Sequence, residues 1–375
     1  MSEAPSAFGE GPIALEALAF AGAPPAGSAL IKQEFIDFQV DEELGFDFTG
    51  SGEHLCVQVR KTDVSTPDVA RRLSETTGVP LAEIGYAGMK DRRGVCSQWF
   101  SLQLPPEQES RLAAVEDETL SLLTSQRNSR KLKIGSHRRN HFAIRLRDCE
   151  GGREVFEAQL LQLQQTGVPN YFGAQRFGRD LSNLTQVAAL MQEVMAGDAG
   201  AAVKTGGRNF RRGMLYSAAR SYLFNLVLSR RLEAGNWDRY VEGDVLNLNG
   251  TERCFRVNPE SAWDEVLEKR LQSFDIHITG PLAGENDPKD KYLSRAEAAD
   301  IEGAVLQQYP TLVQGLKRCG LTAARRALRF QPIDLAWEWE EDAVLQLRFS
   351  LSKGCYATSL LRELCVIKPS AGSDW

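Results

Sequence analysis

The chain carries two-residue apolar alternation near both ends and helical patterning between them, and this constrains its fold more than any other feature. Leu55, Val57 and Val59 alternate with Cys56, Gln58 and Arg60, while Phe142, Ile144 and Leu146 share one parity and Arg145 and Arg147 the other. Successive side chains of a strand point to opposite faces, so both segments predict half-buried strands. The same alternation returns at Leu345, Leu347 and Phe349, interleaved with Gln346 and Arg348. Between these stretches, Leu215, Ala218, Ala219, Tyr222, Leu223, Leu226 and Val227 fall on one stripe of a helix. The chain is expected to leave a sheet, build a second unit around that helix, and return to its first core. This predicts an α+β body with an insertion, and no solenoid, heptad or low-complexity pattern competes with it.

Local signals place the boundaries. Thr66-Pro67 predicts a helix start, with Thr66 as cap and Pro67 in the first turn, and Gly78-Val79-Pro80 predicts its stop. A helix over 153–166 ends at Gly167-Val168-Pro169, and Tyr356, Leu360 and Leu364 predict a last helix by their four-residue spacing. A polar, Gly-rich stretch lies near 197–213. The expected units are an irregular Ala-, Gly- and Pro-rich lead-in over 1–29, a body formed by 30–166 and 330–375, and an insertion over 167–329.

The 375 residues suffice for two or three domains. No apolar run approaches the roughly 20 residues that cross a bilayer, and no signal-like segment opens the chain. A soluble protein without a membrane partner is expected, and seven scattered cysteines point to the reducing cytoplasm. The net charge of -6 does not favour a polyanion ligand, yet its distribution is uneven. Residues 125–147 hold eight Lys or Arg and no acid, residues 167–230 hold eight against three, and residues 231–310 hold nine against sixteen. RNA is expected at the first two regions, with Arg138 and Arg139 as candidate backbone contacts, because phosphate binding needs locally concentrated cations.

Residues 88 to 98 place Asp91 among Lys90, Arg92 and Arg93, with Gly88 and Gly94 on either side. The apolar stretch 84–87 precedes this loop and Trp99-Phe100 follows it, so buried elements anchor both ends. A carboxylate held this way suits catalysis, and a solvated turn would use the same cations for solubility alone. His54, His137, His141 and His277 form no metal-ligand spacing with the cysteines, so no metal is expected. Cys96 and Ser97 lack a nearby histidine that would make either a nucleophile, and Gly85, Gly88 and Gly94 miss the nucleotide-binding spacings. Asn140 suits a base edge or the strand entrance, and Phe142 suits base stacking, although its place on the apolar side of the strand favours the core. Phe38 and Tyr356 carry the same choice between enclosing a base and packing.

The runs Gly88-Met89-Lys90-Asp91 and Gln98-Trp99, together with the nine residues Asn170 to Gly178, Ser217 to Ser221 and Leu223-Phe224-Asn225, resemble the D family of tRNA pseudouridine synthases, TruD, over about Leu30 to Leu364. The resemblance implies a mixed-sheet pseudouridine synthase body interrupted by an inserted α/β TRUD domain. It also implies isomerisation of uridine to pseudouridine in tRNA, usually at uridine 13, with no added metal or organic cofactor, and no obligatory protein partner is inferred. By the same resemblance Asp91 matches the catalytic aspartate, Lys32 the basic residue that pairs with it, and Phe38, Asn140 and Phe142 the pocket residues. Tyr356 stands where well-known members carry phenylalanine, and Cys96 departs from a threonine-containing pattern. Two other classes remain open on the residues alone: an RNA glycosidase that releases uracil, and an RNA-binding protein in which Asp91 only shapes a turn.

Overall fold

A computed structural model describes residues 15, 17–197, 210–258, 262–286 and 291–368. Residues 1–14 and 16 of the expected lead-in, and 198–209 of the Gly-rich stretch, lie outside the described residues.

The body is a ten-stranded mixed sheet. Its first half comprises β1 (Ser28–Ile31), β2 (Phe38–Leu44), β3 (His54–Thr62), helix α1 (Thr66–Thr77), β4 (Gly85–Tyr86), β5 (Val95–Gln103), β6 (Leu120–Asn128), β7 (His137–Glu150) and α2 (Arg153–Thr166). The insertion then contributes β8 (Val168–Pro169), α3 (Ser182–Met195), α4 (Phe210–Glu233), β9 (Val245–Leu248), β10 (Cys254–Arg256), α5 (Glu265–Gln272), β11 (Ile276–Leu282), α6 (Ala296–Leu306), α7 (Pro310–Arg318) and β12 (Ala324–Ala327). The chain returns through β13 (Arg329–Phe330), β14 (Ile333–Glu341), β15 (Val344–Ser352), α8 (Ala357–Leu364) and β16 (Val366–Ile367). The sheet order β14-β15-β7-β2-β5-β3-β6 places the late strand β15 directly beside β7, so the two alternating segments at opposite ends of the chain share one layer. Among the described residues of the body, only β2 with β5 and β1 with β16 pair parallel. At the neck, β8 pairs antiparallel with β13 where the chain leaves the body and re-enters it.

One face of the sheet buries Phe38, Val40, Ile144, Leu146, Leu345 and Leu347 against Phe156, Leu160 and Leu163 of α2 and Leu360, Leu361 and Leu364 of α8. A second layer packs Val57, Val59, Phe100 and Leu102 on Val69 and Leu73 of α1. Each fully buried side chain of this size is worth about 1.5–3 kcal/mol, so the two layers fix the strand register strongly. In the insertion, the four-stranded sheet β10-β9-β11-β12 and helices α3, α4 and α7 enclose a separate core that includes Leu215, Tyr222, Leu223, Met191 and Leu316.

Three local expectations change. Ser65, not Thr66, caps α1 by accepting from the Asp68 amide, and Thr66 becomes the first helical residue. Ordered structure starts before Leu30: β1 begins at Ser28, and Ala19 is docked on the molecule by its carbonyl, which accepts from the Tyr171 hydroxyl at 2.9 Å. Arg145 and Arg147 do not offer a cationic face to nucleic acid. Arg147 clasps the fully buried Asp37 with two nitrogens at 2.8 to 3.0 Å, and Arg145 pairs with Glu340 at 2.8 Å.

Candidate active site

The apolar face of the sheet is where the site forms. Along β2 and β7 the registered pairs are Phe38 with Ile144, Val40 with Phe142 and Glu42 with Asn140. The face that is core at Phe38 and Ile144 therefore becomes polar within four residues, at Glu42 and Asn140, where a cavity of about 670 Å³ opens. Phe38, Asn140, Phe142, Tyr356 and Asp91 all line this cavity. Phe142 packs its ring on the buried Phe349 at 5.2 Å and also borders the cavity. Phe38 meets it edge-on at 6.1 Å.

Asp91 sits in the connection between β4 and β5, and several atoms fix that loop. Lys61, wholly buried on β3, donates to the Asp91 carbonyl. The Cys96 thiol donates to the same carbonyl at 3.6 Å. Having ceded the cap to Ser65, Thr66 accepts from the Lys90 amide at 3.0 Å and donates to Gln98 at 2.9 Å, and Gln98 donates to the Gly88 carbonyl. Gly94 has φ +149, and a Cβ there would lie 2.6 Å from the Phe38 carbonyl oxygen, so the loop closes on β2 only with glycine. With its backbone pinned, the Asp91 carboxylate is about one-third exposed and faces the cavity.

Lys32 reaches Asp91 Oδ1 at 3.4 Å, with its side chain 6% exposed. Its ammonium also lies 4.0 Å from the Phe38 ring centroid, a cation–π contact that joins the pair to the cavity wall. Lys32 holds φ +55, a left-handed conformation that costs a non-glycine residue about 1 kcal/mol or more, and Arg93 secures it by donating to its carbonyl at 3.0 Å. Burial pushes the Lys61 ammonium below its ordinary value, opposed by Cys96 and Asp91, and burial pushes the Cys96 thiol up. Cys96 is thus held as a neutral thiol, poorly suited to nucleophilic attack. It supplies the loop contact in place of a hydroxyl.

Tyr356 spends its hydroxyl on the insertion, accepting from Arg176 Nη2 at 2.9 Å, while its ring packs 5.9 Å from Phe172. Gln175, Arg176, Asn183 and Met214 bring the insertion to the cavity wall. Arg138 and Arg139 do not line it; Arg138 lies outside and pairs with Glu43 at 3.7 Å. Sequence reasoning missed Lys61, Glu42, His137 and Arg176. Lys61 continues the parity of Leu55, Val57 and Val59, and a lysine on an apolar strand face was the available signal. His137 lines the cavity with Nδ1 donating to the Ala87 carbonyl at 3.0 Å, and burial, aided by Lys90, lowers its pKa. Among the described residues no group of three or more His, Cys, Asp or Glu is arranged to hold a metal ion, and no helix is long and apolar enough to cross a membrane.

A family model described as tRNA pseudouridine synthase D (TruD) matches residues 17–205 and 188–364. The chain is 38% identical over 357 residues to tRNA pseudouridine synthase D of Hydrogenovibrio crunogenus, covering 95% of this chain and 98% of the relative. The protein of the same name from Nitrosococcus oceani is 40% identical over 366 residues, covering 96% and 97%. A crystal structure of a putative tRNA pseudouridine synthase D from Methanosarcina mazei superposes with a TM-score of 0.71 at 22% identity, over 92% of this chain and 95% of that one, which shows the shared fold.

Proposed function

The chain belongs to the tRNA pseudouridine synthase D family, and from that premise we propose that it isomerises uridine 13 of tRNA with Asp91 as the catalytic carboxylate. Membership establishes the isomerase class; the position in tRNA and the residue roles are our reading. One observation carries it: a carboxylate on a pinned loop, paired with Lys32, opens into a cavity whose walls are Phe38, Phe142, Tyr356 and Asn140. A cavity of about 670 Å³ accommodates a nucleotide turned out of its stack, and aromatic walls offset part of the stacking energy lost.

The reaction breaks the N1–C1′ bond, turns the uracil, and joins C5 to C1′; the C5 proton leaves and N1 gains one, so mass is unchanged. Asp91 starts it, either by attack on C1′ or by removing a ribose proton in an elimination route. Lys32, 3.4 Å from Oδ1, pairs with the carboxylate and orients it. The insertion, residues 167–329, orients the tRNA, with Arg176 as its contact to the pocket through Tyr356. Seven free thiols fit a cytoplasmic enzyme of this kind. Pseudouridine-selective sequencing of tRNA from cells lacking and regaining the protein tests the position. Signal restored at uridine 13 supports it, and restoration elsewhere refutes it. Nucleotide mass distinguishes isomerisation from glycosidic release of uracil.

A further inference from the structure

Asp91 and Lys90 are neighbours in sequence, yet their side chains take different partners. Asp91 turns to Lys32, while Lys90 turns back into the sheet, where its side chain is 5% exposed. There its ammonium meets Glu42 Oε2 at 2.6 Å, an ion pair with a carboxylate that is fully buried. The other carboxylate oxygen, Oε1, accepts from the Trp99 amide at 3.1 Å, so Glu42 is fixed at both ends. The ammonium also lies 2.7 Å from Asn140 Oδ1. Glu42 and Asn140 are register partners on β2 and β7, so the three groups are set by the sheet itself.

An ammonium has three donors and no acceptor. It can face only the oxygen of the Asn140 amide, because the flipped amide would press its NH₂ group against the cation. Asn140 Nδ2 is therefore directed away from Lys90. Asn140 borders the cavity, and among the described residues its NH₂ group has no hydrogen-bond partner. We propose that Lys90 and Glu42 are positioning residues that lock Asn140 as an obligate donor, so that the pocket accepts a base presenting a carbonyl oxygen to that amide. The inference rests on the reading that the target uridine enters this cavity. One loop then sets both the reactive carboxylate and the polarity of the group that reads the base.

The test uses full-length protein and tRNA transcripts carrying uridine, 2-thiouridine or 4-thiouridine at the target position, since a thiocarbonyl is the weaker acceptor. Wild-type protein should lose about tenfold or more in kcat/KM on the thio transcript whose sulfur meets Asn140, with the other converted normally. Which transcript fails identifies the carbonyl. Lys90→Met combined with Glu42→Gln removes both charges together and frees the amide to rotate; it should reduce the penalty to less than about threefold, whereas Lys90→Arg, again donor-only, should retain it. Asn140→Asp, which keeps size but removes the donor, should cost at least as much on uridine as the sulfur does. Equal conversion of all three transcripts by wild-type protein overturns the proposal, as does an undiminished penalty in the double variant. Affinity of the three transcripts for Asp91→Asn protein repeats the comparison without turnover. Failure of the underlying reading shows separately, as absent conversion of the uridine transcript by wild-type protein.

Discussion

Two buried ion pairs, one in the body and one in the insertion, look alike by burial and differ in what lies at their ends. In the insertion, Arg231 grips both oxygens of Asp244 at 3.0 Å, donates to the Asn236 carbonyl at 2.8 and 3.1 Å and to the Arg239 carbonyl at 3.3 Å, and Asp244 also accepts from the Val241 amide. The network closes on itself between α4 and β9, and burial raises the Asp244 carboxyl against the pull of Arg231. In the body, Lys90 and Glu42 pass one hydrogen bond onward to an amide that borders a cavity. Burying a charge is costly in either place, and only a satisfied network offsets it. What distinguishes the functional network is a polar group left over at the point where the packing opens.

The largest effect should come from the open side. Asp91→Asn should abolish detectable conversion, a loss of about a thousandfold or more, while tRNA binding persists, because amide and carboxylate share a shape and only one supplies the chemistry. A folded Asp91→Asn protein with near-normal single-turnover conversion would remove the distinction altogether. The closed pair should respond in the opposite currency. Asp244→Ala leaves Arg231 buried without its carboxylate and should cost about 3–5 kcal/mol in denaturant unfolding, with conversion per folded molecule within about threefold of wild type. Loss of turnover in fully folded Asp244→Ala protein would show that the insertion's network reaches the site.

A smaller effect separates the regions by pH. His277 on β11 has Nε2 on Asn249 at 3.2 Å and, among the described residues, no hydrogen-bond partner for Nδ1, and burial followed by Arg329 lowers its pKa from 6.5 to about 4. The folded chain binds this proton less well than the unfolded one. The contribution is complete above pH 6.5 and is lost as pH falls from 6.5 to about 4, by up to roughly 3 kcal/mol at about 1.4 kcal/mol per unit. His277→Gln should flatten this limb of the stability profile, and an unchanged profile would assign the acid sensitivity elsewhere. The smallest effect belongs to the surface. Arg138→Ala with Arg139→Ala should weaken tRNA affinity about three- to tenfold and reduce the salt slope by up to about two, with kcat retained. Affinity unchanged across a salt series would exclude this patch from the RNA path.

The strands were legible because one buried face imposes alternation, and the segment 142–147 falls inside the longer β7. The Asp91 loop was legible because an acid among cations between two apolar runs is uncommon. The partners were not. Asp37 takes Arg147 across 110 positions, so an apparently free cationic face was already neutralised. Lys61 and Glu42 converge on the loop from different strands, and no local pattern records such pairings. The shift of the α1 cap from Thr66 to Ser65 had the same character: adjacent hydroxyls satisfy one rule equally until the loop claims one of them.

The parallel seam of β1 with β16, which registers Ser28 with Val366, has a consequence for biosynthesis. β15 and α8, which complete the layer beside β7, also come from the last part of the chain. A ribosome adds about 5–20 residues per second, so the early strands wait many seconds for partners that are translated much later. The insertion is contiguous and can condense meanwhile, holding the two flanks together at the β8–β13 neck before the sheet is complete. Until β15 is translated, β7 presents an unpaired strand edge. The nascent chain therefore carries an aggregation-prone edge at β7 until β15 has been translated.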